Sequence, residues 1–293
     1  MQKRRPPVTV IVPAGDREDV IEDCLKSAAW ADELIVVDSF STDRTLEIAR
    51  RYATRILRHE YGCSALQKNW AIPQASHEWV MILDTDERIP SNLRQEIDDV
   101  LASGPVAVGY RIPRLNLSLG KPVLHAGYYP DYQVRLFQRD HGRYNSRRVH
   151  AHVVLDGPCG VLANPIVHYA HRSLDQTIGN LLVRMTAWES EERRRQQMHQ
   201  PAIFGGIVPG LLIRPLAAFL LRYLGQSGWR DGMHGFSLSL LWSMYVALTY
   251  LRTWESTLQL PPLWWVEDWD ARSKGYDSEN TIRPQPPQQL RRD

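Results

Sequence analysis

Trp79-Val-Met-Ile-Leu-Asp-Thr-Asp-Glu87 is the stretch on which the reading turns. Five apolar residues in a row are too few for a helix and suit a strand buried on both faces. Two aspartates follow at once, spaced so that both carboxylates, set on a turn at the strand's end, can point into one crevice. Hard oxygen ligands of this kind hold Mg²⁺ or Mn²⁺ and leave positions open for phosphate oxygens. The plainer alternative is a solvated acidic turn ahead of the next helix, at Ser91 to Leu101.

Toward the N-terminus the same rhythm repeats. Val8-Thr-Val-Ile-Val-Pro13 is a β-branched run, after which Val20, Ile21, Cys24, Leu25 and Ala28 recur at helical spacing. Glu33-Leu-Ile-Val-Val-Asp38 predicts a second buried strand, and Ser41-Thr42-Asp43 offers a helix start, with Asp43 as the cap. A weaker third strand falls at Arg55 to Leu57 and a short helix at Gln67 to Ala71. Strands alternating with helices predict an α/β fold, a mostly parallel sheet flanked by helices. Ligands bind such sheets beyond the carboxyl ends of the strands, so Ala14 to Arg17, Asp38 to Ser41 and Asp84 to Glu87 are the candidates.

Toward the C-terminus the rhythm changes. Val106 to Ile112, Tyr132 to Phe137 and Val153 to Leu155 read as strands without regular helices between them, an α+β extension. We divide the chain at 1–175 (core 8–110, extension 111–175), 176–270 (helical, apolar and amphipathic) and 271–293 (a Pro, Gln and Arg tail without fixed structure). With 293 residues, 43% of them hydrophobic, there is material for one large domain or a domain with an appendage. A net charge of +2 gives no ground for a nucleic-acid partner. Cys24, Cys63 and Cys159 form neither a metal pair nor a disulfide framework and suit a reducing compartment. The basic segment Met1 to Pro7 runs into a strand, so no signal peptide is expected and the start of the chain reads as cytosolic.

The first loop, Pro13-Ala-Gly-Asp-Arg-Glu18, lacks the glycine patterns of dinucleotide-binding and phosphate-binding loops, which disfavours nicotinamide and P-loop enzymes. A fold that holds phosphates with a metal and side chains remains. Taken together, Val8 to Pro13, Trp30 to Ser39, Ser41-Thr-Asp-Arg-Thr45, Gln67-Lys-Asn69 and Trp79 to Arg88 resemble family 2 glycosyltransferases of GT-A fold, most closely the subgroup with lipopolysaccharide inner-core glucosyltransferases. The resemblance covers residues 8 to about 175, with further likeness near Gly228 to Glu255. It implies a sugar moved from a nucleotide donor, a UDP-sugar first, to a lipid-linked or lipopolysaccharide-core acceptor, with Mg²⁺ or Mn²⁺ and inversion by single displacement.

Carried over residue by residue, the resemblance implies that Pro13 and Ala14 line the base pocket and that Asp38 binds the nucleoside. Asp84 and Asp86 bracket metal and diphosphate, and Lys68 contacts the donor. His168, just after a predicted strand, is either a third metal ligand or a structural histidine. The general base is a carboxylate beyond the metal strand: Asp131 first, beside Pro130 and aromatic rings, with Asp156, His150 and His152 as rivals. Three departures bear on donor and base: Gly15-Asp16 replaces the usual Asn-Glu, Phe40 a common glycine, and Ala151 the acidic residue that often follows the histidine of Arg148-Val-His150.

Ile203 to Leu224 carries Arg214, Arg222 and two prolines, and Phe236 to Leu251 is short for a bilayer crossing, so an interfacial hairpin is expected over a span. Tyr223, Trp229, Trp242, Tyr245, Tyr250, Trp254, Trp264, Trp265 and Trp269 suit such an interface; a helical core or homo-oligomer contact is the alternative. Arg193 to Arg195 either touches anionic lipid or is a solvated face. The expected place is the cytoplasmic side of the inner membrane, peripheral or monotopic. The rival readings are a membrane-bound scaffold with a degenerate transferase domain, which Ala151 favours, and a D-x-D phosphatase-like hydrolase, which Glu87 and Arg88 disfavour.

Overall fold

The alternation of apolar runs and amphipathic segments becomes, in a computed structural model that describes residues 5–148, 150–197, 209–256 and 258, a mixed sheet with helices on both faces. The first half runs β1 (Val8–Ala14), α1 (Ile21–Ala28), β2 (Glu33–Asp38), α2 (Thr45–Ala49), β3 (Arg55–Arg58), α3 (Ser64–Ala71), β4 (Trp79–Ile82), β5 (Glu87–Arg88) and α4 (Ser91–Ala102). β3, β2, β1 and β4 lie side by side, all parallel. Val8, Val10, Val12, Leu34 and Val36 pack in one core with α1 and α4, whereas Ile11, Ile35 and Val37 pack in a second core with α3. Burial on two faces explains why these strands read as unbroken apolar runs.

Glu33 stitches this half together. Its carboxylate accepts from Thr9 Oγ1 (2.8 Å), Arg55 Nη1 (2.9 Å), Ser76 N (2.7 Å) and Ser76 Oγ (2.8 Å), joining β1, β2, β3 and the approach to β4. Arg44, not Asp43, holds the N-cap position of α2; Asp43, one residue earlier, accepts from the Thr45 amide (2.9 Å) and from the Glu18 amide (3.0 Å), tying two loops.

The second half comprises β6 (Gly109–Ser118), β7 (Lys121–Pro122), β8 (Asp131–Gln138), β9 (Gly142–Tyr144), β10 (Val153–Leu155), β11 (Cys159–Val161) and β12 (Ile166–His171). β8 inserts antiparallel between β4 and β6, and β12 runs parallel to β6 with β5 antiparallel on its far edge. β9 and β10 form a separate hairpin. The strand read from Val106 begins at Gly109 and continues to Ser118, because Val106 is 89% exposed whereas β6 has β8 on one edge and β11 and β12 on the other.

α5 (Leu174–Thr177) leads through wide π-type turns into α6 (Thr186–Gln197). A further helical stretch from Pro209 to Gly225, containing α7 (Arg214–Leu220), is joined by a tight turn to α8 (Gly232–Glu255). The two are antiparallel: Ser243 Oγ donates to the Pro215 carbonyl (2.8 Å), and a Cβ on Gly235 would come within 1.8 Å of the Gly228 carbonyl oxygen, so only glycine lets the turn close. Described residues up to Trp254 belong to one compact unit. Leu181 and Leu182 pack on Leu241 and Tyr245 of α8. No helix among the described residues is long and apolar enough to cross a membrane. Arg193 and Arg195 pair with Glu189 and Glu191 one turn back, as on a solvated face. Residues 203–208 of the first apolar segment, Trp264, Trp265, Trp269 and the tail 271–293 lie outside the described residues.

Candidate active site

The chain leaves β4 at Ile82 and turns sharply. Leu83 N donates to the Ile11 carbonyl (3.0 Å), after which Asp84 and Glu87 close on each other: Asp84 N donates to Glu87 Oε2 (3.0 Å) and Glu87 N to the Asp84 carbonyl (2.9 Å). The Arg88 guanidinium ties the turn down through the carbonyls of Thr85, Glu87 and Val20, each at 2.8 Å. Glu87 and Arg88 are therefore the frame of the turn, and Asp84 and Asp86 project from it.

The two aspartates have different surroundings. Asp84 Oδ1 lies 2.7 Å from Lys68 Nζ and Oδ2 2.7 Å from Arg135 Nη2, both cations being almost wholly buried. Burial opposes ionisation of Asp84, yet Lys68 and Arg135 hold its carboxyl well below the usual carboxylate range. Arg135 also reaches the fully buried Glu87 (2.5 Å). Asp86 instead faces His168, whose Nε2 is 3.7 Å from Asp86 Oδ1. The antiparallel register of β12 on β5, with His168 opposite Glu87, makes this approach.

Asn116 fixes the histidine's orientation. Its Nδ2 donates to the Tyr128 carbonyl (2.7 Å), so its Oδ1 is the acceptor that faces His168 Nδ1 (2.7 Å). The imidazole must then carry its hydrogen on Nδ1 and turn a bare Nε2 toward Asp86. Burial holds its pKa below the ordinary histidine value, which keeps that lone pair free.

A cavity of about 720 Å³ opens beyond the ends of β1 and β4, and Pro13, Ala14, Asp84, Asp86 and His168 all line it. Ser39 is on its wall, held by Gln67 Nε2 (2.6 Å), and Arg172, just after β12, and Arg184, in the turns before α6, line it too. Sequence reasoning missed both arginines, since neither lies in a motif. Asp38 is fully buried, with both carboxylate oxygens accepting from the Ser41 amide (3.2 and 3.3 Å); direct contact with a nucleoside would require the loop after β2 to release it. Lys68 lines a second cavity of about 450 Å³, which shares only Ser64 and Asp84 with the first. Asp131 lines neither: it pairs with Arg114 (2.5 Å) and accepts from Gln133 Nε2 (2.8 Å). Burial acts to raise its pKa, but Arg114 brings it below the ordinary value. Asp156 pairs with His141 at the surface, while His150 and His152 are on the wall of the second cavity.

No group of three or more His, Cys, Asp or Glu side chains converges on a metal position among the described residues. Asp86 and His168 face each other at 3.7 Å, one a hard carboxylate and the other an imidazole, and the chemistry of this pair would fit a divalent cation that took its remaining ligands from diphosphate and water. Asp84 is occupied by its two cations.

Four parallel strands with a carboxylate turn at the end of β4 suit an enzyme that binds its ligand beyond the strand ends, and the family comparison gives the class. The family model described as glycosyl transferase family 2 matches residues 9–155, half of the chain, and the protein belongs to that family: it is a glycosyltransferase. It is 26% identical over 261 residues to the lipopolysaccharide core biosynthesis glycosyltransferase LpsC of Rhizobium meliloti, across 85% of this chain and 92% of the relative. Among solved structures, Staphylococcus aureus TarS 1-349 in complex with UDP-GlcNAc is similar at a TM-score of 0.43 and 16% identity, covering 84% of this chain and 92% of that one. Glucosyl-3-phosphoglycerate synthase of Mycobacterium tuberculosis, solved with Mn²⁺, UDP and glucosyl-3-phosphoglycerate, is similar at a TM-score of 0.44 and 17% identity, over 69% and 82%.

Proposed function

We propose that this protein transfers a sugar from a UDP-sugar to a lipid-linked or lipopolysaccharide-core acceptor at a membrane surface, by single displacement with inversion and with Mg²⁺ or Mn²⁺. The observation that carries the donor half is the convergence of Pro13 and Ala14, at the end of β1, with Asp86, on the turn after β4, and His168, on β12, on one crevice. Bound there, the cation would neutralise charge that grows on the departing diphosphate. Arg172 and Arg184, on the same wall, would hold phosphate oxygens by charge-assisted hydrogen bonds. The relationship to LpsC supports the acceptor.

An inverting displacement needs a group to take the acceptor's proton as its oxygen attacks. Asp131 is tied to Arg114 and Gln133 and lines neither cavity, which supports His150 in that role instead. Although His150 is exposed, partial desolvation by the surrounding protein lowers its imidazole pKa from the ordinary value, which leaves it able to accept.

Membrane contact is supported by the C-terminal hairpin. Leu212, Leu216, Leu220 and Leu224 recur every four residues along one side of its first helix, and all four are exposed. Met233, Phe236, Leu240 and Met244 continue the pattern on α8, with Trp229 at the turn. An apolar stripe this long, ending in a tryptophan, suits insertion at the level of lipid headgroups. A panel of nucleotide sugars incubated with the protein, Mn²⁺ and a membrane lipid extract, read by product mass spectrometry, tests the proposal: one sugar mass added to a glycolipid is expected. No product from any donor would end it.

A further inference from the structure

The second cavity is lined by four cationic side chains, Lys68, Arg114, Arg135 and Arg148, against one carboxylate, Asp84. Other carboxylates that pair with these cations, Glu87, Asp131 and Glu191, do not line it. The wall that a ligand meets is therefore rich in cations that donate hydrogen bonds and accept none, with Ser64, Gln133, Tyr144, His150 and His152 as the neutral polar groups among them. A neutral sugar, whose hydroxyls need acceptors as well as donors, matches such a wall poorly; a carboxylate or phosphate, acceptor-only, matches it well.

Arg148 is the group best placed to meet it. Of its five N–H donors, one Nη1 bond holds Glu191 (2.8 Å), which anchors the guanidinium on α6 and leaves donor capacity over. His150, two residues on, adopts a left-handed backbone (φ 54°), uncommon for a side chain of its size, and reaches the same wall.

We infer that this cavity is an acceptor subsite for an anionic group, a carboxylate or phosphate carried by the acceptor beside the hydroxyl that is glycosylated. This rests on the first cavity being the donor site, because the shared Asp84 is what sets the two ligands side by side.

Calorimetry on the full chain loaded with UDP and Mn²⁺ tests the inference, with glucose 6-phosphate, glucuronate and methyl glucoside as probes. At least one anionic probe should bind about tenfold or more tighter than the neutral glucoside, the usual worth of a hydrogen bond to a charged partner. The tighter of the two anions tells phosphate from carboxylate. Arg148→Gln should remove that preference and leave the UDP affinity unchanged, and Arg148→Lys, which keeps the charge, should restore most of it. Equal binding of all three probes, no binding of any, or an unaltered preference in Arg148→Gln would overturn the inference. So would a loss of UDP affinity matching the loss of anion affinity, since the cavity would then serve the donor. Failure of UDP to bind the unaltered protein is a separate result, read before any probe is added, and counts against the donor site; the probes are then titrated into the protein alone.

Discussion

His168 Nε2 lies 3.7 Å from Asp86 Oδ1, and the imidazole is held in that attitude from behind by Asn116, 2.7 Å from Nδ1. Imidazole and orienting partner come from β12 and β6, which run parallel as neighbours. Asp86→Ala and His168→Ala should each abolish most of the Mn²⁺ dependence of UDP binding. Asn116→Leu, which leaves both ligands in place, should still weaken Mn²⁺ by about 10–100-fold, the usual effect of losing a second partner of a metal-binding histidine. Titration calorimetry of Mn²⁺ with UDP decides; an Asn116→Leu protein with full Mn²⁺ affinity would show that tautomer control is unimportant here.

The two aspartates should separate in a stability measurement. Asp84→Ala leaves Lys68 buried without its carboxylate and Arg135 with Glu87 alone, and should cost about 2–3 kcal/mol, toward the low end for breaking a buried pair because Asp84 itself faces a cavity. Asp86→Ala removes no such partner and should cost less than about 1 kcal/mol. Urea unfolding midpoints compare them directly, and equal losses would mean that the ion-pair cluster does not support the turn.

How much of this could be read beforehand depends on what kind of contact defines each part. β1, β2 and β4 were legible because burial on both faces writes itself as a continuous apolar run, and the Asp84–Asp86 turn because it follows one directly. Pro13, Ala14 and His168 do reach the same crevice as those aspartates. The partners were not legible. Arg135 lies 51 residues from Asp84 and Asn116 lies 52 from His168, separations that only the insertion of β8 between β4 and β6 and the pairing of β6 with β12 bring to contact. Asp131 was chosen for its sequence neighbours, Pro130 and the aromatic residues, but the register that sets it opposite Arg114 gives its carboxylate to that guanidinium.

Turnover should follow His150 more than Asp131. His150→Gln is expected to lower kcat by about two to four orders of magnitude with UDP affinity intact, the usual scale for losing a general base. Asp131→Asn should lower stability, by leaving Arg114 with only its longer pairing to Glu87 (3.5 Å), before it lowers kcat. Steady-state rates with the acceptor found in the donor screen distinguish them; a large kcat loss confined to Asp131→Asn would restore the carboxylate as base.

Acid should loosen the parallel half of the sheet. Burial alone would raise the Glu33 pKa, but the Ser76 amide, Arg55, the Ser76 hydroxyl and Thr9 together bring it from 4.5 to about 2. A carboxyl depressed in the folded state contributes stability that is fully present above pH 4.5 and is lost as pH falls toward 2. Glu33→Gln should thus be less stable at pH 7 and show a flatter decline between those limits. Unfolding midpoints across the range test it, and parallel curves for the two proteins would count against the assignment.

The leucine stripe offers a cleaner membrane test than removing the C-terminal third, because α8 covers Leu181 and Leu182 and its loss would expose them. Changing Leu216, Leu220 and Leu224 together to serine should sharply reduce flotation with anionic liposomes, since each buried leucine contributes about 1.5–3 kcal/mol. Full-length protein that stays at the bottom of the gradient in low salt would assign the stripe to a protein contact.

The hairpin is also pinned to the loop between β7 and β8. His125 donates to the Asp231 carboxylate from its amide (2.8 Å) and faces it with ring Nδ1 (2.9 Å), and Arg222 donates to the Ala126 carbonyl (2.5 Å) while lying over the Trp242 ring (4.1 Å). Tyr128, in the same loop, is the residue whose carbonyl steadies Asn116. These contacts tie the hairpin to that loop at several points. Laid on a bilayer by its leucines, it would carry the two cavities at one set height, and the enzyme would choose among glycolipids by stature as well as by chemistry: a sugar standing too close to the lipid, or too far out along its chain, would pass beneath or above the reacting centre.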